Sequence, residues 1–88
     1  MNYRIEFSKS ASKQFRKLPS GIKKRVKVKI DELAREPRPN NVKKIQGDER
    51  SYRIRVGDYR IIYEIEDAVL LITVIKIKHR SEVYKDKK

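Results

Sequence analysis

Three arginines in one short stretch, Arg53, Arg55 and Arg60, are the residues of this chain best suited to chemistry. They lie in Y-R-I-R-V-G-D-Y-R-I-I-Y, from Tyr52 to Tyr63, where apolar or aromatic residues alternate with basic ones. Alternation of this kind marks a half-buried strand, and Gly57-Asp58 between two such runs reads as a tight hairpin turn. A two-residue turn puts Val56 opposite Tyr59 and Arg55 opposite Arg60. Arg53 then shares their face one pleat away, because successive side chains alternate. Like charges directly across a strand pair destabilise it. A fold gains nothing from crowding three guanidinium groups there, whereas an anionic ligand would hold them together.

Basic residues and tyrosines suit phosphoryl transfer on RNA. The 2′-hydroxyl of the RNA can be the nucleophile, so a protein need only orient the backbone, stabilise charge on the phosphorane and move protons. Arginine matches phosphate oxygens with its planar fork but stays protonated, so it is a poor base. The candidates for base or acid are Tyr84, His79, Glu82 and Asp58. Neighbouring cations favour a tyrosine's phenolate. Lys43, Lys44, Lys76, His79 and Arg80 are further candidate contacts to RNA. A structural account competes for each: a solvated strand face for Arg53 and Arg55, a structural role for His79, packing for Tyr84. Tyr52, Tyr59 and Tyr63 read as core or sheet-packing residues.

Other chemistries lack their residues. One histidine and no cysteine leave no recognisable metal-ligand set, and Asp58, Glu66 and Asp67 read as turn residues. The three glycines, Gly21, Gly47 and Gly57, are too scattered for a phosphate-binding loop. No Gly-x-Ser-x-Gly elbow accompanies His79. No cofactor is expected.

The chain's 88 residues are enough for one small domain, expected over 1–88 with 85–88 as a charged tail. Lys and Arg number 24 against 12 Asp and Glu, a net charge of +12, which points to an anionic partner such as nucleic acid or an acidic protein. The segment M-N-Y-R-I-E-F carries charges where a signal peptide is apolar. The apolar run from Ala68 to Ile75 is too short to span a membrane. A cytoplasmic protein with no membrane partner is expected.

Residues 2–7 alternate as a first strand. Ser8 or Ser10 is placed to cap a helix carrying Ala11, Phe15 and Leu18, which Pro19 stops. Ser20 is placed to cap a second helix with an apolar stripe of Ile22, Val26, Ile30, Leu33 and Ala34, ended by Pro37 and Pro39. Its other face, Lys23, Lys24, Arg25, Lys27 and Lys29, is either solvated or an electrostatic contact for RNA or an acidic partner. Residues 37–51 read as a loop in which Val42 and Ile45 form a short strand or a pin. After the hairpin, Glu66-Asp67-Ala68 turns the chain into a strand over Val69–Ile77. The expected fold is α+β: an N-terminal strand and a two-helix hairpin packed on a small antiparallel meander, with the arginine face left open.

The chain resembles the RelE toxins of the RelE/ParE superfamily of toxin–antitoxin systems. The resemblance is carried by F-S-K-S-A-S-K-Q-F-R-K-L-P, by the Tyr52–Tyr63 hairpin and by the closing I-K-H-R-S-E-V-Y. It implies a RelE-like fold and metal-independent cleavage of messenger RNA in the ribosomal A site, against 16S rRNA, by 2′-hydroxyl attack. It also implies that Arg53 and Arg55 bind the scissile phosphate, where lysines are familiar in the family. By the same resemblance, Arg60 stabilises charge or protonates the leaving oxygen, and Lys78 stands where an arginine is familiar, with Arg80 beside it. Tyr84 matches the tyrosine proposed as general base. A cognate RelB-like antitoxin is implied, which would carry any DNA binding. Two alternatives stay open: a ParE-like inhibitor of DNA gyrase on the same fold, and a non-enzymatic RNA- or ribosome-binding protein.

Overall fold

The computed structural model describes residues 2–45, 47 and 50–81. The elements run β1 (Arg4–Phe7), α1 (Lys9–Arg16), α2 (Ser20–Arg35), β2 (Lys43–Lys44), β3 (Ser51–Val56), β4 (Tyr59–Glu66) and β5 (Leu71–His79), with a 3-10 turn at Asp67–Val69. The strands form one sheet in the order β1-β5-β4-β3-β2. β3, β4 and β5 are the expected antiparallel meander. The place of the first strand, which sequence left open, is the edge beside β5, and it runs parallel to it from Arg4↔Leu71 to Phe7↔Val74. The sheet is therefore mixed. A parallel neighbour needs a long connection, and here the whole remainder of the fold provides it.

Helix α1 starts as expected. Ser8 is its N-cap, with Oγ accepting from the Ala11 amide at 3.0 Å. The same hydroxyl donates to the Ile75 carbonyl of β5 at 2.7 Å, so one serine ends β1, starts α1 and ties both to the sheet. Gln14 Oε1 accepts from the Ile77 amide at 2.7 Å, a second link from α1 to β5. In α2 the expectation for Ser20 is not met. Pro19 takes the N-cap position without a side-chain bond, and Ser20 is the first helical residue. Lys23 joins the two helices instead, its ammonium donating to the Arg16 carbonyl at 3.2 Å and lying over the Phe15 ring.

Apolar periodicity puts the core where it was expected. Ala11, Val26, Ile30 and Leu33 of the helices meet Ile54, Val56, Ile61, Tyr63, Ile65, Ile72, Val74 and Ile77 of the sheet, all buried. Tyr52 stacks on Tyr63 at 6.0 Å, as core residues should, and Tyr59 packs against the same cluster. The helices cover one face only.

Several boundaries shift: the first strand starts at Arg4 rather than residue 2, and the last runs on past Ile77 to His79. The last strand begins at Leu71 rather than Val69, because Asp67–Val69 coils into the 3-10 turn and Leu70 takes a left-handed φ of 52°. The loop strand is Lys43–Lys44, with Val42 packed on the core beside it. The loop before it is held by a network that sequence did not suggest. Arg38 places Nη1 and Nη2 on the two Asp67 oxygens at 3.3 and 2.8 Å, and its Nε donates to Tyr52 Oη at 3.1 Å. Tyr3 donates to the same carboxylate at 2.6 Å. Arg38 first, then Tyr3, holds the Asp67 carboxyl below the usual carboxylate range.

Candidate active site

The hairpin register decides which cations meet. Val56 pairs with Tyr59 and Arg55 with Arg60, as a two-residue turn requires. Gly57 takes φ 59° at the first turn position while Asp58 stays out of the left-handed region, the pattern of a type II′ turn. Across the next interface Arg60 pairs with Lys78 and Ile62 with Lys76. On the other side Lys43 pairs with Arg53. Directly paired residues share a face, so two rows cross the uncovered side of the sheet. One is Arg55, Arg60 and Lys78. The other is Lys43, Arg53, Ile62 and Lys76.

The register past these rows depends on a bulge. Between Ile62 and Tyr63 the partner on β5 jumps from Lys76 to Val74, leaving Ile75 as the extra residue. The bulge lets Val74 and Ile77 both point into the core while Lys76 and Lys78 point out.

The rows shape a depression of about 590 Å³ lined by Asn41, Lys43, Arg53, Arg55, Asp58 and Arg60, among others. A smaller one of about 160 Å³ adjoins it, lined by Arg55, Asp58, Arg60 and Arg80. Arg80 is fixed there by its amide, which donates to the Asp58 carbonyl at 2.7 Å, and its guanidinium lies 3.8 Å from the Asp58 carboxylate. Arg55 is partly ordered by its own turn, with Nε donating to the Gly57 carbonyl at 3.0 Å. The side chains are exposed or half-buried, so the cations act as a hydrated but dense field, and among the described residues no carboxylate pairs with Arg53, Arg55 or Arg60.

The predicted site residues divide in three. Arg53, Arg55, Arg60, Lys78, Lys76, Lys43 and Arg80 come together on or beside this face. His79 and Lys44 do not: they pair with Tyr59 and Tyr52, which face the helices, so they point to the opposite side. His79 meets Tyr59 edge-on at 5.1 Å and its Nδ1 lies 3.0 Å from Ser81 Oγ. Tyr84 and Glu82 lie outside the described residues. Two neighbours of the arginines carried no sequence signal. Asn41 reaches the depression only because β2 carries its loop there, and Ile62 is the one apolar residue within the rows. Asp58, by sequence a turn residue and a candidate base, sits in the turn and lines the depression.

The second helix meets the hairpin from behind, with Arg25 Nη1 3.2 Å from where a β-carbon on Gly57 would stand. On its basic face Lys27 pairs with Asp31 at 3.0 Å and Lys29 with Glu32 at 3.1 Å, which lowers the net charge offered to a partner. Among the described residues no group of three metal-ligating side chains occurs, and no helix is long and apolar enough to cross a membrane.

Comparison with known proteins agrees with this geometry. The family model for the ParE toxin of type II toxin–antitoxin systems, parDE, matches residues 5–84. The mRNA interferase toxin RelE of Escherichia coli K12 is 32% identical over 98% of this chain and 94% of its own. Toxin RelE3 of Methanocaldococcus jannaschii is 33% identical over 92% and 94%. The RelE–RelB complex of Pyrococcus horikoshii contains a chain superposing with a TM-score of 0.81 and 34% identity, over 91% of this chain and 97% of that one. The mixed sheet under two helices and these relatives agree: the chain belongs to the ParE/RelE family of type II toxins, as a RelE-type member of its mRNA interferase branch.

Proposed function

We propose that this toxin is a ribosome-dependent endoribonuclease that cuts messenger RNA in the A site and so arrests translation. The observation that carries the reading is the row Arg55–Arg60–Lys78, flanked by Arg53, Lys43 and Lys76. Arg55 and Arg60 clamp the scissile phosphate and stabilise charge on the phosphorane. Arg53, Lys43, Lys76 and Arg80 hold neighbouring phosphates. Lys78 is a proton donor for the leaving oxygen. Tyr84 is the base that the family resemblance suggests. The RNA's own 2′-hydroxyl supplies the nucleophile, so no metal or cofactor is required. The site is shallow, and presentation of the substrate strand is left to the ribosome. A RelB-like antitoxin is the expected partner, laying an acidic or amphipathic segment over the basic surface; the relative from P. horikoshii is seen with RelB.

The test is primer extension on a defined message with programmed ribosomes, with free RNA, and with R60A. The reading expects cuts inside the A-site codon only with ribosomes, lost in R60A. Activity surviving R60A in a folded protein removes the arginine face from the mechanism. A second reading, gyrase inhibition, is favoured by the family model's ParE name. Purified gyrase in a supercoiling assay discriminates it. Salt-dependent RNA binding without scission would leave only the non-enzymatic reading.

A further inference from the structure

Little within strand β2 holds it in place. It is two residues long, against a usual five or six, and one further backbone bond, from the Ile45 amide to the Ser51 carbonyl, extends its ladder. Its register sets Lys43 directly opposite Arg53, and like charges so placed repel. Lys43 nevertheless stands on the open face and lines the larger depression. The loop before it has three ties: the Tyr63 hydroxyl on Pro37, the packing of Val42 on the core, and between them the grip of Arg38 on Asp67 and Tyr52. We infer that Arg38 is a positioning residue whose clasp on Asp67 and Tyr52 fixes Lys43 where it meets RNA, an inference that rests on the ribonuclease reading above.

Three features of the clasp support it. Tyr52, which takes the Nε bond and lies with its ring centre 5.3 Å from the guanidinium, is also the cross-strand partner of Lys44. Arg38 therefore holds the very residue on which β2 pairs. The clasp is also anchored at both ends in the sheet: Asp67 lies in the turn between β4 and β5, and Tyr3, at the entry to β1, binds the same carboxylate. A lone exposed ion pair would fix little, but a two-pronged one within a network has a defined geometry. Finally, Arg38 itself lines neither depression, so its influence on RNA has to pass through the loop it holds.

Asp67 separates this role from simple electrostatics. It is an anion on a basic protein, so by charge alone its removal strengthens the attraction for RNA. By the clasp, its removal frees Arg38, loosens β2 and lets Lys43 swing away from Arg53. The two accounts predict opposite signs for one substitution.

Fluorescence anisotropy of a short labelled single-stranded RNA, titrated at several salt concentrations with wild type, D67A, R38K, K43A and D67A/K43A, tests this, with circular dichroism to confirm folding. K43A should weaken binding about 3- to 5-fold, the scale of one exposed ionic contact, and flatten the salt slope by roughly 0.7. D67A should weaken binding by up to the same factor and add nothing to K43A in the double variant. R38K, which keeps the charge and loses the fork, should resemble D67A. Binding by D67A as tight as or tighter than wild type overturns the inference. So do D67A and K43A effects that multiply in the double variant, an R38K that matches wild type, or a wild type that binds no RNA. Cutting is scored separately by the primer extension above: its absence overturns the ribonuclease reading, while the sign of the D67A effect on RNA binding still decides the clasp.

Discussion

Arg60→Gln should make this protein more stable and nearly inactive. Arg60 faces Arg55 on one side and Lys78 on the other, directly across both strand interfaces. A directly opposed cross-strand pair is worth roughly 0.2–1 kcal/mol, unfavourable for like charges. Removing the central cation relieves two such contacts, about 0.4–2 kcal/mol at low ionic strength before screening. Glutamine keeps part of the stem over the sheet, so lost packing takes back a fraction. A net gain of about 0.5–1 kcal/mol is expected, which raises Tm by roughly 2–8 °C in a domain of this size. Circular dichroism melts of both proteins at about 20 mM and at 1 M salt measure it, because at 1 M the Debye length of about 3 Å extinguishes the repulsion. The gain should vanish there. Cleavage should meanwhile fall about 10²- to 10³-fold, the usual cost of one charge-stabilising donor. A lower or unchanged Tm at low salt, or a gain that survives 1 M salt, would show that the row is not held against its own repulsion.

Three further substitutions probe the core, the loop network and the hairpin turn. Tyr63 is fully buried and donates to the Pro37 carbonyl at 2.7 Å, so Tyr63→Phe should lose about 1–3 kcal/mol in urea unfolding by leaving that oxygen unpaired. Burial also pushes the Tyr63 phenol up; its contribution is present below the ordinary tyrosine pKa near 10 and is lost as pH rises beyond it, so an alkaline limb of unfolding in the wild type should be weaker in Tyr63→Phe. Asp67 is shifted down, so its contribution is present above the ordinary carboxylate pKa near 4 and is lost as pH falls through its lowered value; Asp67→Asn should flatten that acid limb, read from urea midpoints between pH 6 and pH 3. Gly57→Ala puts a β-carbon at φ 59° and 3.2 Å from Arg25 Nη1; the guanidinium can move, the backbone cannot, and about 1–2 kcal/mol of stability should go with it, along with part of the activity as the Arg55–Arg60 register loosens.

Much of this protein was legible in one dimension because its signals are local. Alternation at period two around a Gly-Asp turn is enough to specify that Arg55 meets Arg60, since a hairpin's register follows from its turn and from which face is apolar. The apolar stripe of α2 and the Ser8 cap were readable for the same reason. What tertiary structure decided is everything that depends on distant segments meeting. Nothing local says that β1 lies parallel to β5, because a parallel edge carries no turn. The bulge at Ile75 decides that Lys76 and Lys78 face outward with the arginines, and that His79, the obvious base by residue type, faces away. Asn41 and Arg38 belong to a loop whose sequence says only that it is not regular; their positions come from β2 pairing and from Asp67, distant in the chain. Residue types therefore announced a basic face, and strand pairing chose which cations share it.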